Sequence, residues 1–323
     1  MKKYTLNGTS EDNDLWCLPD LPFCIIEMSQ DNSTDYSYSG DQIEFELDSE
    51  LVSLYDKLME LYFDAEEYYN EIGSIPQFVQ QAGQDSDTSI SKDEAVELFN
   101  EYNEKMPNLI KHFYLVDVQF LVGTIQNLLS GLHSCFCNYY ISLCNVAPLK
   151  IDDDGEFWTS SIKSRNVASI LETYFIKAYS ILDLLCKIAY EFEHPKQDFS
   201  RYQRMSCSNV LWGHRKHLQI NNTQGTVFED CSTVHVIEAL RNEVVHNGSW
   251  ELNPKIYFVI KNRTVQERFM YFPDISQKAL DCFVNRKHFF SQQIKVNQQL
   301  QVLHMDFLER VLKTVEWLNN RPK

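Results

Sequence analysis

The chain has 323 residues, of which 44% are hydrophobic and 13% aromatic, and its formal net charge is −17. This composition argues against a disordered chain, and the length suffices for one large hydrophobic core or two ordinary ones. The nine cysteines are odd in number and include no CxxC pair, which argues against a disulfide framework or a zinc ribbon and favours a reducing cytoplasm.

The acidity is concentrated in the first third of the chain. Residues 1–105 carry 25 acidic and 5 basic side chains, whereas residues 106–323 carry 21 acidic and 24 basic ones. We therefore expect an acidic, mainly helical N-terminal extension at 1–105, followed by a helical domain at 106–323. The extension is interpreted as a solvated helical face, a partner-docking module or a cover over the functional site. The N-terminus lacks the apolar stretch of a secretory signal, so we expect a soluble, cytoplasmic protein.

The first predicted elements are an irregular arm and two acidic helices. Residues 1–42 show little regular pattern and predict an arm and loop. From Asp48 onward apolar residues recur at helical spacing, which predicts a helix over about 48–72. Ser91 and Glu94 have the spacing of a capping box, in which each side chain bonds the other residue's backbone N–H, and they mark the start of the second helix.

Two long helices are predicted next. Pro107 and Pro148 bound one helix over 107–146, with glycines that could kink it, and a short turn leads to another at about 156–193. Because the connection is short, the two helices should pack antiparallel. No charge occurs between Asp117 and Lys150, a span long enough for a membrane, but recurring glutamines and asparagines within it favour a buried bundle helix.

The last third combines helix with a small β element. A helix is predicted over 232–247, with Gly248 as its C-cap. Residues 255–272 contain two β-branched and aromatic runs that predict a hairpin, and helix returns from about 276. The expected fold class is thus mainly α: an antiparallel helical bundle with a β-hairpin insertion.

One short sequence carries recognisable chemistry: Arg241-Asn242-Glu243-Val244-Val245-His246, at the end of the predicted helix. On an ideal helix Arg241 and His246 lie about 140° apart, whereas Asn242 and His246 share a face. Arg241 and His246 can therefore converge on one ligand only if the helix unwinds after His246 or if a second copy supplies the facing side.

This segment resembles the motif of the HEPN family, in which an Arg, often followed by a polar residue, and a His are separated by four to six intervening residues. Leu240 to Gly248 match the four-residue spacing, with Asn as the polar residue. The resemblance covers roughly residues 107–250. It implies an all-α bundle that forms homodimers with two motifs facing each other. It also implies a metal-independent endoribonuclease of a toxin–antitoxin or phage-defence system, with no cofactor.

The resemblance assigns roles that suit the residue types. His246 acts as the base for the ribose 2′-OH, Arg241 stabilises the charge on the phosphate, and Asn242 orients the imidazole or holds the substrate. Cleavage then leaves a 2′,3′-cyclic phosphate. RNA is the expected substrate, and an antitoxin or regulatory protein is a possible partner. Some family members carry a modified Tyr two residues after the His, a position that Gly248 occupies here, which places regulation of that kind in doubt.

Several alternatives remain open. Lys261, Arg263 and Arg268 lie among aromatic residues of the predicted hairpin, a mixture that can bind single-stranded RNA but also occurs in ordinary packing. His214 and His217 have metal-ligand spacing without a third ligand nearby, so no metal site is expected. The motif itself would also serve a non-catalytic scaffold or sensor, or a nucleotide-binding module, that acts through a dimer interface.

Overall fold

A computed structural model describes the following residues: 23–27, 34–38, 40–80, 90–203, 211–220, 223–286 and 288–321. About 60% of the described residues are helical and the rest include small antiparallel sheets, so the expectation of a mainly α fold is confirmed at this level. The predicted irregular arm lies largely outside the described residues. Within it, β1 (Phe23–Glu27) and β2 (Thr34–Tyr38) form an antiparallel hairpin that the sequence pattern did not reveal.

The helix predicted over 48–72 is two helices, α1 (Asp41–Glu60) and α2 (Ala65–Ile72). The break has a local cause, because the Asp64 carboxylate accepts a hydrogen bond from the Glu66 N–H at 2.9 Å and caps α2. After the short α3 (Gln77–Gln80), α4 (Lys92–Asn103) begins at the predicted capping box. Both hydrogen bonds of the capping box are present. The Ser91 N–H donates to the Glu94 carboxylate at 2.7 Å, and the Glu94 N–H donates to the Ser91 hydroxyl at 3.2 Å.

The long helix predicted over 107–146 is confirmed as α5 (Leu109–Cys144), which runs without interruption through Gly123 and Gly131. Its partner α6 (Ile162–Glu193) is antiparallel, since Tyr114 near the start of α5 bonds Glu191 near the end of α6 at 2.9 Å. The predicted start of this helix at 156 is wrong. Residues Gly155–Thr159 form strand β3, and Ser161 caps α6 by accepting a hydrogen bond from the Ser164 N–H at 3.2 Å.

The predicted hairpin is confirmed as β4 (Ile256–Lys261) and β5 (Thr264–Phe269). It is part of a larger sheet than expected, because β3 pairs with β4 and gives the order β3-β4-β5. Alternate residues of β4 point into the core: Ile256, Phe258 and Ile260. This alternation is the period of a strand with one buried face.

A 3₁₀ helix (Trp212–His217) precedes α7 (Ser232–Asn247), which has the predicted bounds. The helix predicted from 276 is wrong over its first twenty residues. That stretch holds two short strands, β6 (Ile275–Ser276) and β7 (Ala279–Leu280), and a loop, and α8 spans Val296–Asn319. The buried Asp274 carboxylate fixes the loop by accepting bonds from the Ser291 and Gln292 N–H groups at 2.7 and 3.0 Å.

One hydrophobic core joins α1, α5, α6, α7 and α8. Side chains from each of these helices are fully buried in it: Leu51, Leu54, Phe136, Leu185, Ile237 and Phe307. The first helix of the acidic N-terminal third is therefore part of the main core, while a smaller cluster packs Ile75 and Val79 against Leu109.

Among the described helices, α5 is the one that is long and apolar enough to cross a membrane by length and composition. Most of its buried apolar positions belong to the shared core with α1, α6 and α8, and Leu109 belongs to the smaller cluster. Two of its glutamines bond α1: Gln119 donates to the Tyr55 carbonyl at 3.1 Å, and Gln126 donates to the Asp48 carboxylate at 2.7 Å. These two bonds and the shared core hold α5 against α1.

Candidate active site

The motif occupies the last two turns of α7, which packs on α6 through buried residues that include Val234, Ile237 and Leu240. The helix ends at Gly248, whose φ of 94° lies in the left-handed region that glycine adopts without steric cost. The hydroxyl of Ser249 then donates to the carboxylate of Glu172 on α6. This bond ties the chain just after His246 to the bundle.

Asn242 and His246 line one groove, as their spacing of four residues predicts. Glu238, Glu243 and Asn247 of α7 complete one wall, and residues from Lys278 to Cys282 form the other. The groove has a volume of about 450 Å³, within the ~300–1,000 Å³ typical of small-ligand sites. His246 is exposed, so its imidazole is accessible to a substrate from solvent.

Arg241 is not among the described residues that line this groove. Its guanidinium carbon lies 4.2 Å from the centroid of the Tyr179 ring on α6, a cation–π contact. Its Nη1 also donates to the Asn242 side-chain oxygen at 3.0 Å. Within one chain, therefore, Arg241 and His246 do not line the same groove. Asn242 lines the groove with His246 and accepts the hydrogen bond from Arg241.

The surroundings of Arg241 are half-buried and carry charge of both signs. Burial, with a smaller contribution from the Asp183 carboxylate, raises the pKa of Tyr179 to about 12, and Arg241 opposes this rise. Burial also raises the pKa of Asp183, against the opposing effects of a bond from the Trp212 N–H at 2.7 Å and of Arg241. Arg241 thus contacts an aromatic ring and lies within electrostatic range of the Asp183 carboxylate.

A second imidazole, which the sequence did not single out, lies beside the groove. The Nε2 of His288 lies 3.1 Å from one oxygen of Glu243, and the other oxygen accepts a bond from the Asn247 side chain at 2.8 Å. Glu243 and His288 are only 13% and 18% exposed, which fixes the ring in place. His288 is 42 positions from His246 in a stretch predicted as helix, so no local signal pointed to it.

The basic residues of the hairpin occupy different environments. Lys261 and Arg263 are exposed at the turn between β4 and β5, where Asn262 and Arg263 have φ values of 53° and 59°. Arg268 is half-buried, and its Nε donates to the Val146 carbonyl at 3.1 Å, just beyond the end of α5. The Arg268 guanidinium therefore stabilises the segment that follows α5, while Lys261 and Arg263 remain available to a partner.

No three His, Cys, Asp or Glu side chains in the described part of the chain are grouped so that they could hold a metal ion. His214 and His217 lie with their ring centroids 6.1 Å apart and nearly parallel. Lys278, which lines the groove, binds Asp230 at 2.5 Å.

Comparison with known proteins gives no relative: no protein-family model, no curated protein and no solved structure matches the chain.

Proposed function

We propose that the protein is a HEPN-like, metal-independent endoribonuclease that acts in the cytoplasm as the effector of a toxin–antitoxin or phage-defence system. The observation that carries the proposal is the groove of about 450 Å³ in which Asn242 and His246 lie together, with Arg241 bonded to Asn242. The antiparallel α5–α6 pair and the packing of α7 on α6 support it, because the resemblance implies a helical bundle with the motif at the end of a helix.

The proposed reaction uses the 2′-hydroxyl of the RNA as its nucleophile. His246 accepts the proton from this hydroxyl, and the 2′-oxygen attacks the adjacent phosphorus. The bond from phosphorus to the 5′-oxygen then breaks, the leaving oxygen takes a proton from water, and His246 returns its proton to the solvent. The products are a 2′,3′-cyclic phosphate and a 5′-hydroxyl end. Arg241 stabilises the negative charge that develops on the phosphate oxygens.

A homodimer is part of the proposal because Arg241 and His246 do not line one groove within a single chain. Two half-exposed apolar side chains lie one turn from the two residues of the cation–π contact: Val245 follows Arg241 on α7, and Ile176 precedes Tyr179 on α6. Apolar side chains of this kind are suited to contact with a second copy of the chain. In such a dimer the Arg241 of one copy would face the groove of the other.

A non-catalytic scaffold or sensor is the second candidate, and a specific observation favours it. The Arg241 guanidinium already contacts the Tyr179 ring and the Asn242 side chain, which is the environment of a structural arginine. In that case the motif would stabilise an interface or bind a nucleotide without turnover, and no RNA would be cleaved.

Expression in a bacterial host tests the proposal. We expect wild-type protein to arrest growth and fragment total RNA, and His246→Ala and Arg241→Gln to abolish both effects. The matched controls are His217→Ala and Arg201→Gln, which change exposed residues outside the groove and should retain toxicity. Toxicity that persists in His246→Ala at equal protein level would exclude His246 as the base. Co-expression with a neighbouring regulatory protein or antitoxin should suppress the wild-type effect.

A further inference from the structure

A second pocket, of about 240 Å³, lies beside the β3-β4-β5 sheet and has the lining of a nucleobase site. Four aromatic residues line it, together with the cations of Lys255 and Arg286; the aromatic residues are Trp250, Tyr257, Tyr271 and Phe290. Tyr257 and Tyr271 meet edge to face, with ring centroids 4.8 Å apart, and both are half-exposed. The pocket is smaller than the ~300 Å³ lower bound for drug-sized ligands, which suits a single flat ring system.

Two chain segments lead directly from the groove to this pocket. His246 and Cys282 line the groove, while Trp250 and Arg286, each four positions further along, line the pocket. Four residues span at most about 14 Å of fully extended chain. The two sites are therefore neighbours, joined by the same pair of segments.

The surface between them carries an exposed aromatic side chain. Phe283 and Arg286 exchange two backbone hydrogen bonds, of 2.8 and 2.9 Å, and so close a tight turn. Within this turn the side chains of Phe283 and Val284 are 72% and 85% exposed. A flexible strand that leaves the groove toward the pocket would pass this turn and could stack a base on Phe283.

We propose that this pocket binds one nucleobase of a single-stranded RNA whose scissile phosphate lies in the groove. The inference rests on the proposed function and deepens it, because it names an unpaired strand as the substrate class. Stacking on aromatic rings together with contact to Lys and Arg is the common way in which proteins bind single-stranded nucleic acid. A duplex keeps its base faces stacked and could not place one in the pocket.

The position of the charges agrees with this assignment. The Lys255 ammonium lies 4.9 Å from the centroid of the Trp158 ring, and the Arg286 guanidinium carbon lies 4.9 Å from that of Phe289. Both cations therefore stand beside aromatic rings, where they can bind the phosphates that flank a stacked base. Glu251, which also lines the pocket, offers a carboxylate to the amino or imino group of a base.

The test measures binding rather than cleavage, in a His246→Ala background that leaves the RNA intact. The probe is a fluorescein-labelled single-stranded RNA of about ten nucleotides, titrated by fluorescence anisotropy. Tyr271→Leu removes the ring and keeps an apolar side chain, and we expect it to raise the Kd about tenfold. Tyr271→Phe keeps the ring and should bind within about twofold of the background protein. Lys255→Gln should weaken binding and lower its salt slope by about 1.

Tyr69→Leu is the matched control, because Tyr69 is 65% exposed on α2 and lines neither site; its Kd should not change. Thermal melting of each variant separates binding from folding. Equal Kd values for Tyr271→Leu and Tyr271→Phe, or no binding of single-stranded RNA by the background protein, would overturn the proposal. If wild-type protein cleaves RNA while Tyr271→Leu has the same Kd as the background protein, the result supports the nuclease assignment and contradicts only the base pocket.

Discussion

His304 shows how one buried residue makes stability depend on pH. It is fully buried on α8, its ring stacks on Phe136 with centroids 4.2 Å apart, and its Nδ1 lies 3.1 Å from the Tyr174 hydroxyl. Burial lowers the pKa of His304 to about 3. The unfolded chain, in which a histidine titrates near 6.5, therefore binds this proton when the folded protein does not.

Stability should therefore fall as the pH decreases from about 6.5 toward 3, by up to about 1.4 kcal/mol per pH unit from this residue. Replacing His304 with Phe should make the dependence shallower in urea unfolding curves measured between these pH values. The exposed control His217→Ala should keep the wild-type slope. An unchanged slope in His304→Phe would show that other groups cause the acid sensitivity.

A second residue-scale prediction concerns the buried carboxylate of Glu191. It accepts hydrogen bonds from the hydroxyls of Tyr62 and Tyr114, at 2.6 and 2.9 Å. Burial raises the pKa of Glu191, and the two hydroxyl donors oppose this rise. Tyr62→Phe removes one donor from a buried acceptor, so we expect a loss of about 1–3 kcal/mol in the free energy of unfolding at neutral pH.

The control for this change is Tyr69→Phe, in which the lost hydroxyl belongs to an exposed side chain. The Tyr62 hydroxyl lowers the pKa of Glu191, so its removal raises this pKa further in the folded variant, in which ionising the carboxyl group then costs more free energy. The deficit in Tyr62→Phe should therefore grow as the pH rises above about 4.5, the ordinary range of a glutamate. A deficit that is constant from pH 4 to 8 would contradict the role given to Glu191.

At the scale of elements, α1 links the acidic third of the chain to the bundle. Leu54 is fully buried in the main core, and the Asn319 side chain at the end of α8 donates to the Glu50 carbonyl of α1 at 2.9 Å. Leu54→Ala should lower the free energy of unfolding by about 2–5 kcal/mol. Val52→Ala, on the same helix but 56% exposed, should change it by less than about 0.5 kcal/mol.

Because α1 packs in the main core, residues 1–105 are not a separable cover over the groove. Deleting residues 1–105 would remove α1 and expose the core residues that it covers. We therefore expect that truncation to unfold rather than to release activity. A stable, folded protein lacking 1–105, by circular dichroism and melting temperature, would contradict this view of α1.

The elements that the sequence predicted well are those with a long, regular pattern. α5 and α7 repeat apolar residues at helical spacing and end near Pro148 and Gly248, so their bounds follow from local signals. β3 was missed because Glu156 to Thr159 gain their structure from pairing with β4, about 100 positions away. The loop before α8 was missed because it depends on Asp274, whose partners are 17 and 18 positions away.

The residues of the candidate site likewise differ in whether a local sequence pattern could predict their position. Asn242 and His246 share a groove because they are four positions apart on one helix, and this spacing can be read from the sequence. His288 and the pocket around Tyr271 come from a different part of the chain and reach α7 through tertiary packing. No local pattern could have placed either of them.

At the scale of the whole molecule, the charge distribution separates two regions. The acidic side chains concentrate in residues 1–105, and the remaining residues carry a small excess of basic ones. A strand of RNA is therefore repelled mainly by the first third, and the repulsion should weaken as salt is added.

The proposed dimer gives a prediction at this scale. Val245 is 48% exposed beside Arg241, so Val245→Lys should place a charge in the interface, convert dimer to monomer and abolish RNA cleavage. Val52→Lys changes an exposed valine on α1 and should alter neither property. Light scattering coupled to gel filtration reports the mass. A wild-type monomer with full activity would contradict the two-copy site.

The most direct test compares purified wild-type protein with His246→Ala on a labelled single-stranded RNA in the presence of EDTA. We predict that wild-type protein produces fragments with 2′,3′-cyclic phosphate ends, and that His246→Ala cleaves at least about a hundredfold more slowly at an unchanged melting temperature. Equal cleavage by the two proteins, cleavage that EDTA abolishes, or no cleavage by either would contradict the account.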